Sequence, residues 1–196
     1  DDEQELEEKT KEVSRALAPF GLPVRRTKSE REGRTYWAIR RESFSLLRSH
    51  VKDRHTAPFI DDIIVRPEFL PEFLPKLEAI LEPHAKQMTY TIAGHTGDGN
   101  FHIIPLMKIE DPEARALIPT ISDEVYDLVL RYKGSITAEH NDGIIRTPYL
   151  SKMYGPELVK LFEETKRIFD PDGIFNPGKK VFGTLEYAMD HIRERW

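Results

Sequence analysis

The sequence predicts an α+β domain of the ferredoxin-like type: β-α-β-β-α-β, an antiparallel sheet with helices packed on one face and extra helices at the C-terminus. Three observations predict it. Between Phe59 and Ala138, short runs rich in β-branched and aromatic residues alternate with two stretches of helical period. A glycine-rich turn separates two of the runs, as in a hairpin. No Gly/Ser linker and no internal repeat divides the 196 residues, so 1–196 is expected to form one domain.

The elements follow in order. Leu6, Val13, Leu17 and Phe20 recur near helical spacing after an acidic first turn, and Pro19 and Gly21 stop that helix. Pro23 to Lys28 is expected as a short strand, followed by a polar turn at Ser29 to Gly33. A second helix is expected from about Thr35 to Val51, with Trp37, Phe44 and Leu47 on its apolar side. Phe59 to Val65 reads as the first strand, closed by Pro67. Phe69, Phe73, Leu77 and Leu81 form an i, i+4 ladder that ends near Pro83. Met88–Gly94 and Phe101–Met107 are the second and third strands. Asp111-Pro112 opens a helix with Leu117, Ile121, Val125 and Leu128 inside; Gly134 breaks it, and Ser135–Ala138 is the fourth strand.

Composition narrows the function. Hydrophobic residues make up 39% of the chain and charged residues 32%, enough for a core beneath a solvated surface. The net charge is -5, and the one basic cluster, Arg25 to Arg34, is interrupted by Glu30 and Glu32, so nucleic acid is not an expected partner. With no cysteine there are no disulfides, thiolate metal sites or thiol nucleophiles. No apolar stretch approaches the ~20 residues of a membrane span. The acidic start Asp1-Asp2-Glu3 is unlike a signal peptide, so the expected location is cytoplasmic, with peripheral membrane contact allowed.

Chemistry concentrates in two segments, Gly94-His95-Thr96-Gly97-Asp98-Gly99-Asn100-Phe101-His102 and Thr137-Ala138-Glu139-His140-Asn141-Asp142-Gly143. Two histidines seven apart are returned to each other by a turn whose Gly97 and Gly99 tolerate positive φ. If the second and fourth strands run opposite to the first and third, the end of the second, the start of the third and the end of the fourth share one edge. His95, His102 and Glu139 occupy those points. Two imidazoles and a carboxylate leave coordination positions open for water or substrate; zinc suits them best, with manganese or iron as alternatives. A single histidine in such a turn would be an ordinary surface residue, but the convergence of several favours a metal. His140, beside Glu139, is the natural base, with an intrinsic pKa near ~6.5.

These two segments, the second continued through Ile144-Ile145-Arg146, together with Phe169-Asp170-Pro171-Asp172-Gly173-Ile174-Phe175-Asn176-Pro177-Gly178-Lys179, resemble the C-terminal cap domain of FAD-linked oxidases. That family includes the flavin-linked chain of glycolate oxidase, D-lactate dehydrogenase and D-2-hydroxyglutarate dehydrogenase. The resemblance implies a substrate domain of a longer enzyme that oxidises a D-2-hydroxy acid to the 2-oxo acid. FAD would be bound mainly by a separate FAD-binding domain of the same polypeptide, and the isolated fragment would be inactive. It implies His95, His102 and Glu139 as metal ligands and His140 as base. Arg40, in Trp37-Ala38-Ile39-Arg40, would bind the substrate carboxylate, and Asn176 would approach the flavin ring. A guanidinium fork suits a planar carboxylate.

Three positions depart from the family pattern. Asn141 stands where a glycine is usual after Glu-His, Ile104 where members acting on dicarboxylates offer an amide, and Ile60 in a region where they carry a basic residue. The last two point toward a smaller or more apolar acid, lactate- or glycolate-like. A metal-dependent hydrolase using His95, His102 and Glu139, and a non-catalytic ferredoxin-like interaction module, are the competing readings. A homodimer is compatible with all three.

Overall fold

A computed structural model of the chain describes residues 2–22 and 24–193, and of helix residues 43, 44, 46 and 50 the backbone alone. It falls into two units, Asp1–His50 and Val51–Trp196.

The first unit holds two helices. α1 (Glu3–Leu17) begins where the Asp2 carboxylate accepts the Gln4 N–H at 3.1 Å, with Glu3 and Glu5 at the positive end of the helix dipole. It runs into a 3₁₀ turn closed by Gly21 in the left-handed conformation. The strand expected at Pro23–Lys28 is absent from 24–28, and Pro23 lies outside the described residues. That stretch is held by the next helix instead. α2 (Glu30–His50) starts about five residues before the expected Thr35, and the polar turn expected at Ser29–Gly33 is its first turn. Ser29 Oγ accepts the Glu32 N–H at 3.2 Å, while the Glu32 carboxylate turns back to the Lys28 N–H at 2.6 Å and to Arg25 at 2.6 Å. Ser29 thus satisfies one free donor of the helix start, as in a capping box, while Glu32 reaches one residue further back and ties down the 25–28 segment. The Phe44 side chain, assigned to the apolar side of this helix, lies outside the described residues.

The second unit is built on an antiparallel sheet. β3 (Met88–His95) and β4 (Asn100–Met107) pair along their whole length, from Met88↔Met107 to His95↔Asn100. On the other side of β4 lie two short strands, β1 (His55–Thr56) against Leu106–Met107 and β2 (Ile63–Ile64) against Asn100–Phe101. The first strand expected at Phe59–Val65 is therefore broken: residues 57–62 leave the ladder, and Asp62 has a left-handed φ of 64°. The expected fourth strand is reduced to one antiparallel bridge, Ile64↔Ser135, followed by the Ala138 N–H donating to the Asp62 carbonyl.

These pairings correct the expected strand directions. β2 and β3 are both antiparallel to β4, and the Ser135 segment is antiparallel to β2. The first and second strands therefore run the same way, and the third and fourth oppose them, as a helix crossover between the first two requires. The spatial order is still the ferredoxin-like 4-1-3-2.

Two helices cover one face. α3 (Leu70–Leu81) buries Phe73, Leu77 and Leu81 of the expected i, i+4 ladder, with Leu70 in place of Phe69, which is only partly buried in the 3₁₀ turn before the helix. α4 (Pro112–Arg131) is capped by the Asp111 carboxylate on the Glu113 N–H and buries Ile118, Ile121, Val125, Tyr126 and Val129. They pack on Phe101, Ile103 and Met107, alternate residues of β4 that share one side of the pleat. Each large apolar side chain buried there contributes roughly 1.5–3 kcal/mol. The Tyr126 hydroxyl donates to the Phe59 carbonyl at 2.6 Å, pinning the segment that interrupts the first strand. The extra C-terminal helices follow: α5 (Gly143–Arg146), α6 (Leu150–Phe169), kinked at Gly155-Pro156, and α7 (Leu185–Asp190).

Candidate metal and substrate site

The site forms on the sheet face opposite α3 and α4. Phe101 and Ile103 point into the core, so His102 between them points away from it. Ala93 pairs with His102 and His95 with Asn100, which sets both imidazoles on that same face with their rings 5.8 Å apart, edge to face. The turn between them depends on Gly99, at φ 75°: a Cβ there would run into the Val65 carbonyl oxygen. Gly97 needs no such freedom, since only Gly99 of the two has a positive φ.

Glu139 and His140 reach the site on the loop after the Ser135 bridge, and Asp62 holds that loop. Asp62 is fully buried. Its carboxylate accepts the N–H groups of Ala138 at 3.0 Å, Glu139 at 3.1 Å and His140 at 2.9 Å, and the Asn100 amide at 3.1 Å. Burial alone would push the Asp62 carboxyl up. The backbone donors of His140, Glu139 and Ala138, with Asn100, outweigh that and hold it below the usual carboxylate range. From the other side, buried Arg146 donates to the Asp61 carbonyl at 2.7 Å and to the Asn141 carbonyl at 3.1 Å. Asn141 takes φ 68°, the conformation that favours glycine, and its side chain accepts the Asp142 N–H at 2.9 Å. Asparagine tolerates this region better than most residues, so the departure from glycine leaves the turn intact.

Three imidazoles converge on one oxygen. The Nε2 atoms of His95, His102 and His140 stand 3.5, 3.0 and 3.5 Å from Glu139 Oε1. His102 and His140 are stacked, 4.8 Å between centroids and 8° from parallel. Behind them Asp61 faces both rings: Oδ1 is 3.2 Å from His102 Nδ1, and Oδ2 is 3.4 Å from His140 Nδ1.

This donor set fits a divalent cation. Nitrogen and oxygen ligands at about 2.0–2.1 Å from a tetrahedral zinc stand about 3.3 Å from one another, the separation seen around Glu139 Oε1. A carboxylate on the far nitrogen of a ligating histidine is the usual support of such a site. Asp62, His102, Glu139 and His140 also bring one possible ligand atom each within 4.8 Å of one another. Asp62, however, is enclosed by four donors, which makes it an anchor; His95 approaches the same Glu139 oxygen from the exposed side.

The remaining expected residues belong to other elements. Arg40 is on α2, in the first unit. Asn176 occupies an exposed turn at φ 48°, in a loop organised by Asp170, whose carboxylate accepts the Ile174 and Phe175 N–H groups at 2.9 Å each and pairs with Lys166. Lys180 ties this loop to the segment carrying Glu139 and His140, through Asp142 at 2.9 Å and the Thr147 hydroxyl at 2.8 Å. Ile60 is fully buried in the core and does not face the site. Asp61 and Asp62 lie outside the motifs read from the sequence, and Arg146 closes the segment that begins at Thr137 without a role assigned to it there.

Fold and site together define a ferredoxin-like domain with a histidine–carboxylate cluster on one face of its sheet. The chain belongs to the family of FAD linked oxidases, C-terminal domain, whose model matches residues 1–180. It is 34% identical to a D-2-hydroxyglutarate dehydrogenase of Haemophilus influenzae over 143 residues, 73% of this chain and 14% of that protein. It is 34% identical to a D-lactate dehydrogenase of Anaerostipes hadrus over 122 residues, 60% of this chain and 25% of the relative. It is 26% identical to glycolate oxidase subunit GlcD of Escherichia coli over 199 residues, 97% of this chain and 39% of that protein. The chain thus spans well under half the length of these relatives. Among the described residues, no helix is long and apolar enough to cross a membrane.

Proposed function

We propose that this chain is the substrate- and metal-binding domain of an FAD-dependent dehydrogenase or oxidase that converts a small D-2-hydroxy acid, lactate- or glycolate-like, to the 2-oxo acid. The observation that carries the proposal is the convergence of three imidazole Nε2 atoms on Glu139 Oε1, with Asp61 behind two of them. His95, His102 and Glu139 would hold the cation, zinc by donor type. When bound, a divalent cation supplies a Lewis acid for the 2-hydroxyl and FAD supplies the hydride acceptor.

The chain's own residues do the rest. His140 takes the hydroxyl proton at Nε2, which stands at the site while Nδ1 is held by Asp61. Arg40 grips the substrate carboxylate through its two-pronged guanidinium. Asn176, exposed on its turn, faces the flavin supplied by the FAD-binding domain. Ile104 lies two residues from His102 on the same face of β4, opposite Thr91, so the surface beside the metal ligands is neutral and partly apolar. The strand pair itself contributes no lysine or arginine, and Arg54, which lies on it at Thr89, is engaged by the Thr89 hydroxyl and the Lys86 carbonyl, which supports a short side chain on the acid.

Metal analysis and a substrate panel on the complete gene product test this. One divalent cation per chain is expected, lost in His95→Ala and His102→Ala, with dye reduction faster on D-lactate or glycolate than on D-2-hydroxyglutarate. Metal content unchanged by both substitutions would remove the metal site. A colourless protein that reduces no dye with any 2-hydroxy acid would remove the enzyme.

A further inference from the structure

We infer that Asp61 is a positioning residue that locks His102 and His140 in one tautomer, so that a single carboxylate orients a metal ligand and the proton acceptor together. The inference deepens the proposed function and rests on it for the roles of the two histidines. Asp61 is 15% exposed at its side chain, and each of its oxygens faces a different ring: Oδ1 the Nδ1 of His102 at 3.2 Å, Oδ2 the Nδ1 of His140 at 3.4 Å.

A carboxylate accepts hydrogen bonds, so Asp61 favours the proton on the Nδ1 of His102, its hydrogen-bond partner at 3.2 Å, and through the longer 3.4 Å contact on that of His140. A ring protonated there would turn an unprotonated Nε2 toward a cation held at Glu139 Oε1, where both Nε2 atoms lie. The parallel stack at 4.8 Å follows from sharing one planar acceptor. Asp61 is itself placed from behind, since its carbonyl accepts Arg146 and its neighbour Asp62 is fixed by four donors. His95 meets no second carboxylate among the described residues and reaches Glu139 alone from the hairpin.

The chemistry predicts an asymmetric failure. An amide in place of the carboxylate has one acceptor oxygen and one donor nitrogen. His102 is the less exposed ring, 18% against 49% for His140, and makes the shorter contact, so it should keep the oxygen. His140 would then face an N–H, accept at Nδ1 and carry its proton on Nε2, where it can neither ligate nor take a proton. A catalytic histidine turned to the wrong tautomer by the same Asp→Asn exchange in a serine protease loses about 10⁴ in turnover.

The test uses the protein as isolated, with Asp61→Asn and Asp61→Glu compared with wild type. Nitrogen-15 NMR of the imidazoles in chelator-treated protein reads the tautomers without any metal, and zinc titration reads the site. Wild type should show His102 and His140 both protonated at Nδ1. Asp61→Asn should show the His140 ring switched to Nε2–H, and zinc affinity lower by about 10–100-fold because His102 loses the negative charge behind it. Asp61→Glu should restore the wild-type tautomers and most of the affinity, which loss of folding would not do. Both rings remaining Nδ1–H in Asp61→Asn, with zinc affinity unchanged, would overturn the inference. Wild type with the expected tautomers but no zinc binding would leave the orienting role standing and refute the metal site instead.

Discussion

Removing the acceptor beneath the Glu139–His140 loop separates charge from hydrogen bonding in this site. In Asp62→Asn the shape is kept, and asparagine accepts the φ of 64°. The amide oxygen can still receive the Ala138, Glu139 and His140 N–H groups, now without a charge. Hydrogen bonds to charged groups are worth about 1.5–3 kcal/mol and neutral ones about 0.5–1.5, a loss of about 3 kcal/mol over three bonds. One gain offsets part of this. Asn100 Oδ1 is buried without a partner, so a rotated Asn100 side chain can accept from the new amide, which returns about 1 kcal/mol. Net destabilisation should be about 2 kcal/mol.

Asp62→Ala removes the acceptor altogether. The Glu139 and His140 N–H groups lose their partner at about 1.5–2 kcal/mol each, the Ala138 N–H keeps the Asp62 carbonyl, and alanine in the left-handed region adds about 1–2 kcal/mol. The sum is about 5 kcal/mol. At about 2–4 °C per kcal/mol for a chain of this size, the midpoints should fall by about 6 °C for Asn and about 15 °C for Ala. Circular-dichroism melting reads both, and zinc titration should show binding kept by the Asn variant and lost by the Ala variant. Two variants that melt within about 2 °C of wild type would refute the anchoring role of Asp62.

Three further outcomes are expected. His140→Ala in the complete enzyme should lower kcat about 100-fold or more with metal and flavin retained; loss of the metal in that variant would make His140 a ligand instead of the base. Arg40→Ala should raise KM for the hydroxy acid by the equivalent of about 2–5 kcal/mol, the cost of stripping a charged partner, and an unchanged KM would move the carboxylate elsewhere. The Lys166 ammonium beside Asp170, with the Phe175 and Ile174 N–H groups, outweighs its burial and holds its carboxyl below the usual range. Its contribution to stability is therefore complete above about pH 4 and is lost as the pH falls through the folded-state value. The urea-midpoint gap between wild type and Asp170→Asn should be constant above about pH 5 and shrink below about pH 4; a gap independent of pH would show that the charge on Asp170 is not what stabilises the loop.

What is legible in the chain is periodic or clustered. The ladder Phe73, Leu77 and Leu81 and the apolar face of α4 have one solution, a helix against a sheet. The hairpin between His95 and His102 announces itself by its glycines. The break in the first strand is hidden because Phe59 to Val65 is apolar enough to read as continuous. Two adjacent acids inside such a run are the available signal, since a buried carboxylate must find donors. Those donors come from residues 138–140, over seventy positions away, and local patterns carry no trace of them. The start of α2 is disguised although Ser29 and Glu32 spell a capping box, because Gly33, early in the helix, suggests a turn. Arg146, at the end of the Glu139 segment, looks in sequence like one more surface cation; only the fold brings the carbonyls of Asp61 and Asn141 to it.

The departure of Asp61 and Asp62 from the ladder explains how a sheet face gathers the carboxylates and imidazoles of the proposed metal site. Had residues 59–65 stayed in register with β4, the two acids would project to opposite faces, and only one could serve the cluster. At a left-handed φ, Asp62 turns inward to the 138–140 loop while Asp61 turns to the imidazoles. The charge count then bears on what the site can hold. Asp61, Asp62 and Glu139 are acidic and Arg146 basic, so the formal balance of these four side chains is negative, which supports the proposed divalent cation.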